Sequence, residues 1–251
     1  METDVRRPRR TDVPASSSHL FLDYYLIQPE KHHGETPAAP VGVLVEEFEL
    51  ASDHTALALG SARWTVLDGW VGAAPFSRRV RTDAGLRSRI ATADRDEVVQ
   101  VYRRLGGGDL PDEQRLRSHF GAAESLATAP PLRLGAGEVP EGFHSTRFYR
   151  ILFVNDLPDD GLARLRARWQ MRVSPDADDP RARVAGSAEL RVADDHFRWD
   201  LRRVGPGVAW CLDLTADLGS RRADRIGPVL RGLTAVMRQQ GLIPVTIERF
   251  S

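Results

Sequence analysis

Three runs between residues 184 and 214 alternate apolar and polar positions. Val184, Ala188, Leu190 and Val192 share one parity, Phe197, Trp199 and Leu201 the next, and Val208, Trp210, Leu212 and Leu214 the third. Such alternation sends every second side chain to one face of a half-buried strand. Ala193-Asp194-Asp195-His196 and Val204-Gly205-Pro206-Gly207 separate the runs, and both carry turn residues. The pattern predicts a three-stranded antiparallel meander with one apolar face. With Asp194-Asp195 as the turn pair, Val192 opposes Phe197 and Leu190 opposes Trp199. A turn centred on Gly205-Pro206 sets Trp199 by Leu212 and Leu201 by Trp210. The other face then carries a charged ladder of Glu189, Arg191, Arg198, Asp200 and Asp213, with Arg198 opposite Asp213 and Cys211 beside Asp200.

The flanks of the meander are also periodic. Residues 147–154 are apolar on both parities, which predicts a central strand covered on both faces. Residues 155–158 turn into a helix that buries Leu162, Leu165 and Trp169. Ile226, Val229, Leu230, Leu233, Val236 and Met237 recur at helical spacing. They predict a helix over the apolar side of the meander, above Trp199 and Trp210. Gly241 ends it, and a strand over 243–250 follows.

The first half reads similarly, with weaker signals. Strands are predicted over 19–28, 41–50 and part of 57–70, where Asp68-Gly69 marks a turn. A fourth, over 76–82, is crowded by Arg78, Arg79 and Arg81. Three helices follow. Thr82 or Asp83 caps a short one to Ile90. Thr92 or Asp94 starts a second, which buries Val98, Val101, Tyr102 and Leu105 before Gly106-Gly107-Gly108. Pro111 and Asp112 open a third, to about Phe120.

The expected architecture is therefore α+β: mostly antiparallel sheets with helices packed on one face. A basic arm (1–18), an N-terminal half (19–126), a proline- and glycine-bearing linker (127–140) and a C-terminal half (141–251) divide the chain. The halves echo each other: residues 21–28 resemble 148–155, and Gly60-Ser61-Ala62 resembles Gly186-Ser187-Ala188. Internal duplication would explain this and would set a cleft between the halves. Shared use of common strand and turn residues is the alternative.

Composition narrows the function classes. Basic and acidic residues balance at 35 each, which does not point to a nucleic-acid backbone as partner. Lys31 is the single lysine, a bias that codon usage explains more simply than selection for anion binding does. Cys211 is the single cysteine, so no disulfide framework or cysteine zinc site can form within one chain, as fits a reducing compartment. Arg6, Arg7, Arg9 and Arg10 precede Phe21-Leu22, but Asp23 breaks the apolar run and no small-residue cleavage site follows. No run approaches a membrane span. A cytoplasmic protein is expected.

Candidate chemistry is sparse. Asp195 beside His196 could orient a general base, although Asp194-Asp195 is also ordinary turn chemistry. His32 and His33 with Glu30 and Glu35 could bind a metal only from a bent loop, and no metal is expected. Gly106-Gly107-Gly108-Asp109 follows a helix and lacks the lysine of a phosphate loop. The surrounding helix pair has too long a connection for a helix-turn-helix. Cys211 has no histidine close in sequence to activate it. The contact candidates are thus His144, Asp195, His196, Arg198, Asp200, Cys211 and Asp213. Two function classes stay open: a noncatalytic binding protein for a protein partner or small ligand, itself a candidate homodimer, and an enzyme with acid–base residues such as His144 or His196 in the cleft. No cofactor is expected.

Overall fold

The computed structural model describes residues 22–30, 39–126, 138–173, 183–205 and 209–250. The arm 1–18, the His32-His33 loop, most of the expected linker and the acidic loop 174–180 lie outside these residues.

The first half contains β1 (Asp23–Ile27), β2 (Gly42–Leu50), β3 (Ala56–Thr65), β4 (Gly69–Gly72), α1 (Ala74–Thr82), α2 (Ala84–Arg87), β5 (Ile90–Ala93), α3 (Arg95–Arg104), α4 (Glu113–Arg117) and β6 (Glu124–Ser125). The second contains β7 (Ser145–Val154), α5 (Gly161–Arg168), β8 (Val184–Val192), β9 (Asp195–Val204), β10 (Ala209–Leu218), α6 (Ile226–Arg238) and β11 (Ile243–Arg249). Two sheets result, ordered β4-β3-β2-β1-β5, with β6 on β3, and β11-β7-β10-β9-β8. Both are antiparallel throughout, and the α+β architecture is as the periodicity predicts. In the first sheet β1 lies between β2 and β5, and in the second β7 lies between β10 and the last strand, β11. The similar segments β3 and β8 hold different places, because β3 is flanked by β2 and β4 whereas β8 pairs with β9 and a single bridge at Arg172.

Helix starts follow local chemistry. The carboxylates of Asp83, Asp94 and Asp112 accept the backbone N–H groups of Leu86, Glu97 and Arg115, satisfying donors that the first turn leaves open. Residues 76–82, expected as a strand, form α1 instead. Pro75 opens it, and Ala74, Ser77, Val80 and Arg81 share its buried face. Arg81 is nearly inaccessible because its guanidinium meets both oxygens of Glu46, at 3.0 and 2.8 Å. The short helix stops at Arg87, and β5 begins at Ile90, pairing with the distant β1.

The meander forms, but each hairpin register differs by two residues from expectation. Val192 pairs with Asp195, Leu190 with Phe197 and Ala188 with Trp199. Leu212 pairs with Leu201, Leu214 with Trp199 and Trp210 with Arg203. An even displacement keeps the side chains from Ala188 to Leu201 and from Trp210 to Leu214 on their expected faces, whereas a register shift between Val184 and Gly186 pairs Val184 with Arg202 and puts Ala185 in the core in its place. The cause at the first turn is Asp195, which lies in the strand with its carboxylate buried, accepting Gly219 N–H at 3.0 Å and pairing with Arg225 at 2.9 Å. The turn is therefore Ala193-Asp194, with Ala193 at φ 51°.

Helix α6 covers the sheet as expected. Ile226, Leu230, Leu233 and Met237 share one core with Trp199, Trp210, Leu212 and Leu214. Gly241 follows at φ 85°, a conformation that glycine adopts without steric cost. Strand β7 is interior but is covered on one face only: Tyr149, Ile151 and Phe153 are buried, whereas Phe148 and Leu152 stay half-buried on the other side. The halves share their cores. Ala56, Phe48 and Leu126 join that of the second half, and Ile243 and Val154 join a cluster in the first.

Candidate functional site

Strand parity sorts the candidate residues before any tertiary contact does. Arg198 and Asp200 on β9, and Cys211, Asp213, Thr215 and Asp217 on β10, point to the sheet face opposite α6. Asp195 has the parity of Phe197 and turns the other way. Asp195 and His196 therefore do not form an oriented pair. His196 finds its carboxylate on β8 instead, with Nε2 3.1 Å from Glu189 Oε2, and its ring stacks on Phe143. His144 is exposed, and its backbone N–H donates to the Leu218 carbonyl.

The face is laced by charge-assisted hydrogen bonds. Asp213 does not receive Arg198. Arg150 from β7 takes it in a two-pronged contact, at 2.6 and 2.8 Å, and Arg202 adds a third bond at 3.1 Å. That fork geometry matches guanidinium to carboxylate and is stronger than a neutral hydrogen bond. Arg198 reaches one register further, to the buried Asp217 at 3.0 Å, and the other Asp217 oxygen accepts the Thr146 hydroxyl at 2.7 Å. Asp200 faces Asp213 directly and accepts the Ser187 hydroxyl at 2.6 Å. A groove of about 410 Å³ opens over this lattice, lined by Phe148, Arg172, Ser187, Arg198, Asp200, Arg202, Asp213 and Thr215.

Cys211 lies beneath the lattice. It is 1% exposed, with Sγ 3.9 Å from Asp213 Oδ1. Burial, with the Asp213 charge adding to it, pushes the thiol up to about 11. It is held as a thiol at neutral pH, the opposite of what a nucleophile needs.

The structure thus gathers Arg198, Asp200, Cys211 and Asp213 on one face, sets His196 at its margin, and leaves Asp195 and His144 apart. Sequence reasoning missed Arg150, Arg202, Asp217, Ser187 and Phe148. Continuing the parity of Cys211 and Asp213 by two steps would have found Asp217. Nothing local marks Arg150, because β7 reaches β10 across a long sequence gap. Where a cleft between halves was expected, the buried Arg81–Glu46 pair, whose guanidinium donates to the Pro244 carbonyl, and the half-buried Arg238–Asp23 pair occupy the junction. A second groove, of about 380 Å³ and lined by Glu30, Arg79, Asp83, Ser88 and Arg89, lies within the first half. Among the described residues no cluster of three or more His, Cys, Asp or Glu could hold a metal, and no helix is long and apolar enough to cross a membrane.

No family model, curated protein or solved structure matches the chain.

Proposed function

We propose that this is a noncatalytic binding protein whose partner, another protein, docks on the charged face of the second sheet. The observation that carries this reading is the Arg150–Asp213–Arg202 lattice beside Phe148. Partly exposed ion pairs contribute little to stability, at most about 1 kcal/mol each. Holding several arginines in fixed poses nevertheless removes side-chain entropy that a partner would otherwise have to overcome on binding. Arginine and aromatic side chains are also the residues that most often dominate binding energy at interfaces. Of the groups the acid–base alternative needs, Asp195 holds Arg225 and Gly219, His196 pairs with Glu189 and Cys211 stays protonated, while His144 is exposed and stands apart from them. A cytoplasmic setting fits the lone buried thiol.

The test is affinity capture by the full chain, comparing wild type with Arg198→Glu and Arg150→Glu. Arg150→Glu should fold, because Arg150 and its partner Asp213 both reach solvent, whereas Arg198→Glu sets a carboxylate against the buried Asp217 and is read only once circular dichroism shows it folded; each folded variant should lose a partner that wild type retains. Undiminished capture by both folded variants refutes this docking face.

A further inference from the structure

The β2–β3 hairpin tip of the first half reaches across to the second half at the start of α6. The tip is a tight turn. Ala51 N–H donates to the Thr55 carbonyl at 2.8 Å and His54 N–H to the Ala51 carbonyl at 2.9 Å, and His54 takes φ 70°. Two contacts tie the tip to the second sheet: the Tyr149 hydroxyl donates to the Asp53 carbonyl at 2.9 Å, and Arg249 lies 3.9 Å from the Asp53 carboxylate. The His54 ring rests on Gly227, in the first turn of α6. A Cβ at Gly227 would stand 2.9 Å from His54 Cε1, so a side chain there would push the ring from its seat.

The surroundings discriminate between the two charge states of this ring. Arg231 faces it from α6 and Arg147 from β7, while the carboxylate of Asp53 in the same turn and the Ala223 backbone pull the other way. The first turn of α6 has no side-chain cap, so its amide groups present the positive end of the helix dipole.

We propose that His54 is a proton-operated latch: the neutral ring seats the hairpin tip on α6, and protonation releases the tip from the second half. The halves remain joined by contacts elsewhere. Arg81 Nε donates to the Pro244 carbonyl, and Arg238 pairs with Asp23 and donates to the Tyr24 carbonyl. Burial, followed by Arg231 and Arg147 against the opposing pull of Ala223 and Asp53, holds the ring below the ordinary histidine value of 6.5. A base lowered in this way favours the seated state above its free value. That contribution fades as pH falls from there through the lowered value.

The test is amide hydrogen exchange on the full chain, with rates corrected for intrinsic chemistry. Between about pH 7.5 and about pH 5, protection at residues 51–55 should fall while β10 keeps its own. His54→Gln should hold the tip's protection at both pH values, and Gly227→Ala should lose it at both. Constant protection of the wild-type tip, an equal fall in His54→Gln, or a loss that spreads through β10 overturns the latch. If either variant does not fold, the NMR titration of the His54 ring decides, and a midpoint at or above 6.5 overturns it.

Discussion

At the scale of single residues, the most constrained side chain is Arg81. Its guanidinium meets both oxygens of Glu46, the Ser77 carbonyl and the Pro244 carbonyl, and it lies 5.8 Å from the Phe48 ring centre. Arginine and glutamate side chains are 5% and 2% exposed, so each charge depends on the other for the solvation it has lost. Removing one member leaves a buried charge unmatched. Glu46→Gln is therefore expected to cost about 3–5 kcal/mol, read from denaturant midpoints at unchanged slope. Arg150, 41% exposed, pairs with equally good geometry yet carries no such penalty, because water can replace its partner. Burial rather than distance decides what an ion pair is worth, and so the Arg150 lattice suits recognition while the Arg81 pair holds structure.

At the scale of elements, α6 is the organising piece of the second half. Leu233 is 4% exposed in the core that also holds Trp199 and Trp210. Truncating it removes buried methyl groups and leaves a cavity that close-packed neighbours fill only in part. Leu233→Ala is expected to cost about 2–5 kcal/mol in equilibrium unfolding, and a loss near zero would mean that the helix is not seated as described. The meander beneath shows how much an alternating pattern conveys. Parity assigned faces to Phe197, Trp199, Leu201, Trp210 and Leu212, yet both hairpins pair two residues away from the register expected from their turns. Alternation is blind to even displacements, and the burial of Asp195 against Gly219 and Arg225, groups brought close only by the fold, selects among them.

At the scale of the whole molecule, the two halves are not separable bodies. Phe48, Ala56 and Leu126 pack into the second core, and Ile243 belongs to a cluster of the first. Buried apolar contacts on both sides of the junction couple their unfolding. A single calorimetric transition is expected, with calorimetric and van't Hoff enthalpies equal. Two resolved transitions would show that the shared cores contribute little.

What the sequence by itself determined is local. Amphipathic periodicity placed α3 and α6, the capping candidates Thr82 or Asp83, Thr92 or Asp94, and Pro111-Asp112 bracketed the starts of α2, α3 and α4, and alternation separated the apolar and charged faces of the second sheet. These depend on interactions within a few residues or on a period that one strand or helix carries alone. The tertiary structure decided the rest. It made 74–82 a helix, because Arg81 could be buried only once Glu46 was there to receive it. It formed β5 from a segment whose partner, β1, is far away in sequence. It gave Asp213 to Arg150 and Arg202 rather than to Arg198, because β7 lies beside β10 and the registers are displaced by two. Non-local pairing leaves little local trace in the residues that take part in it, so the charged face was legible in the sequence while its partnerships were not.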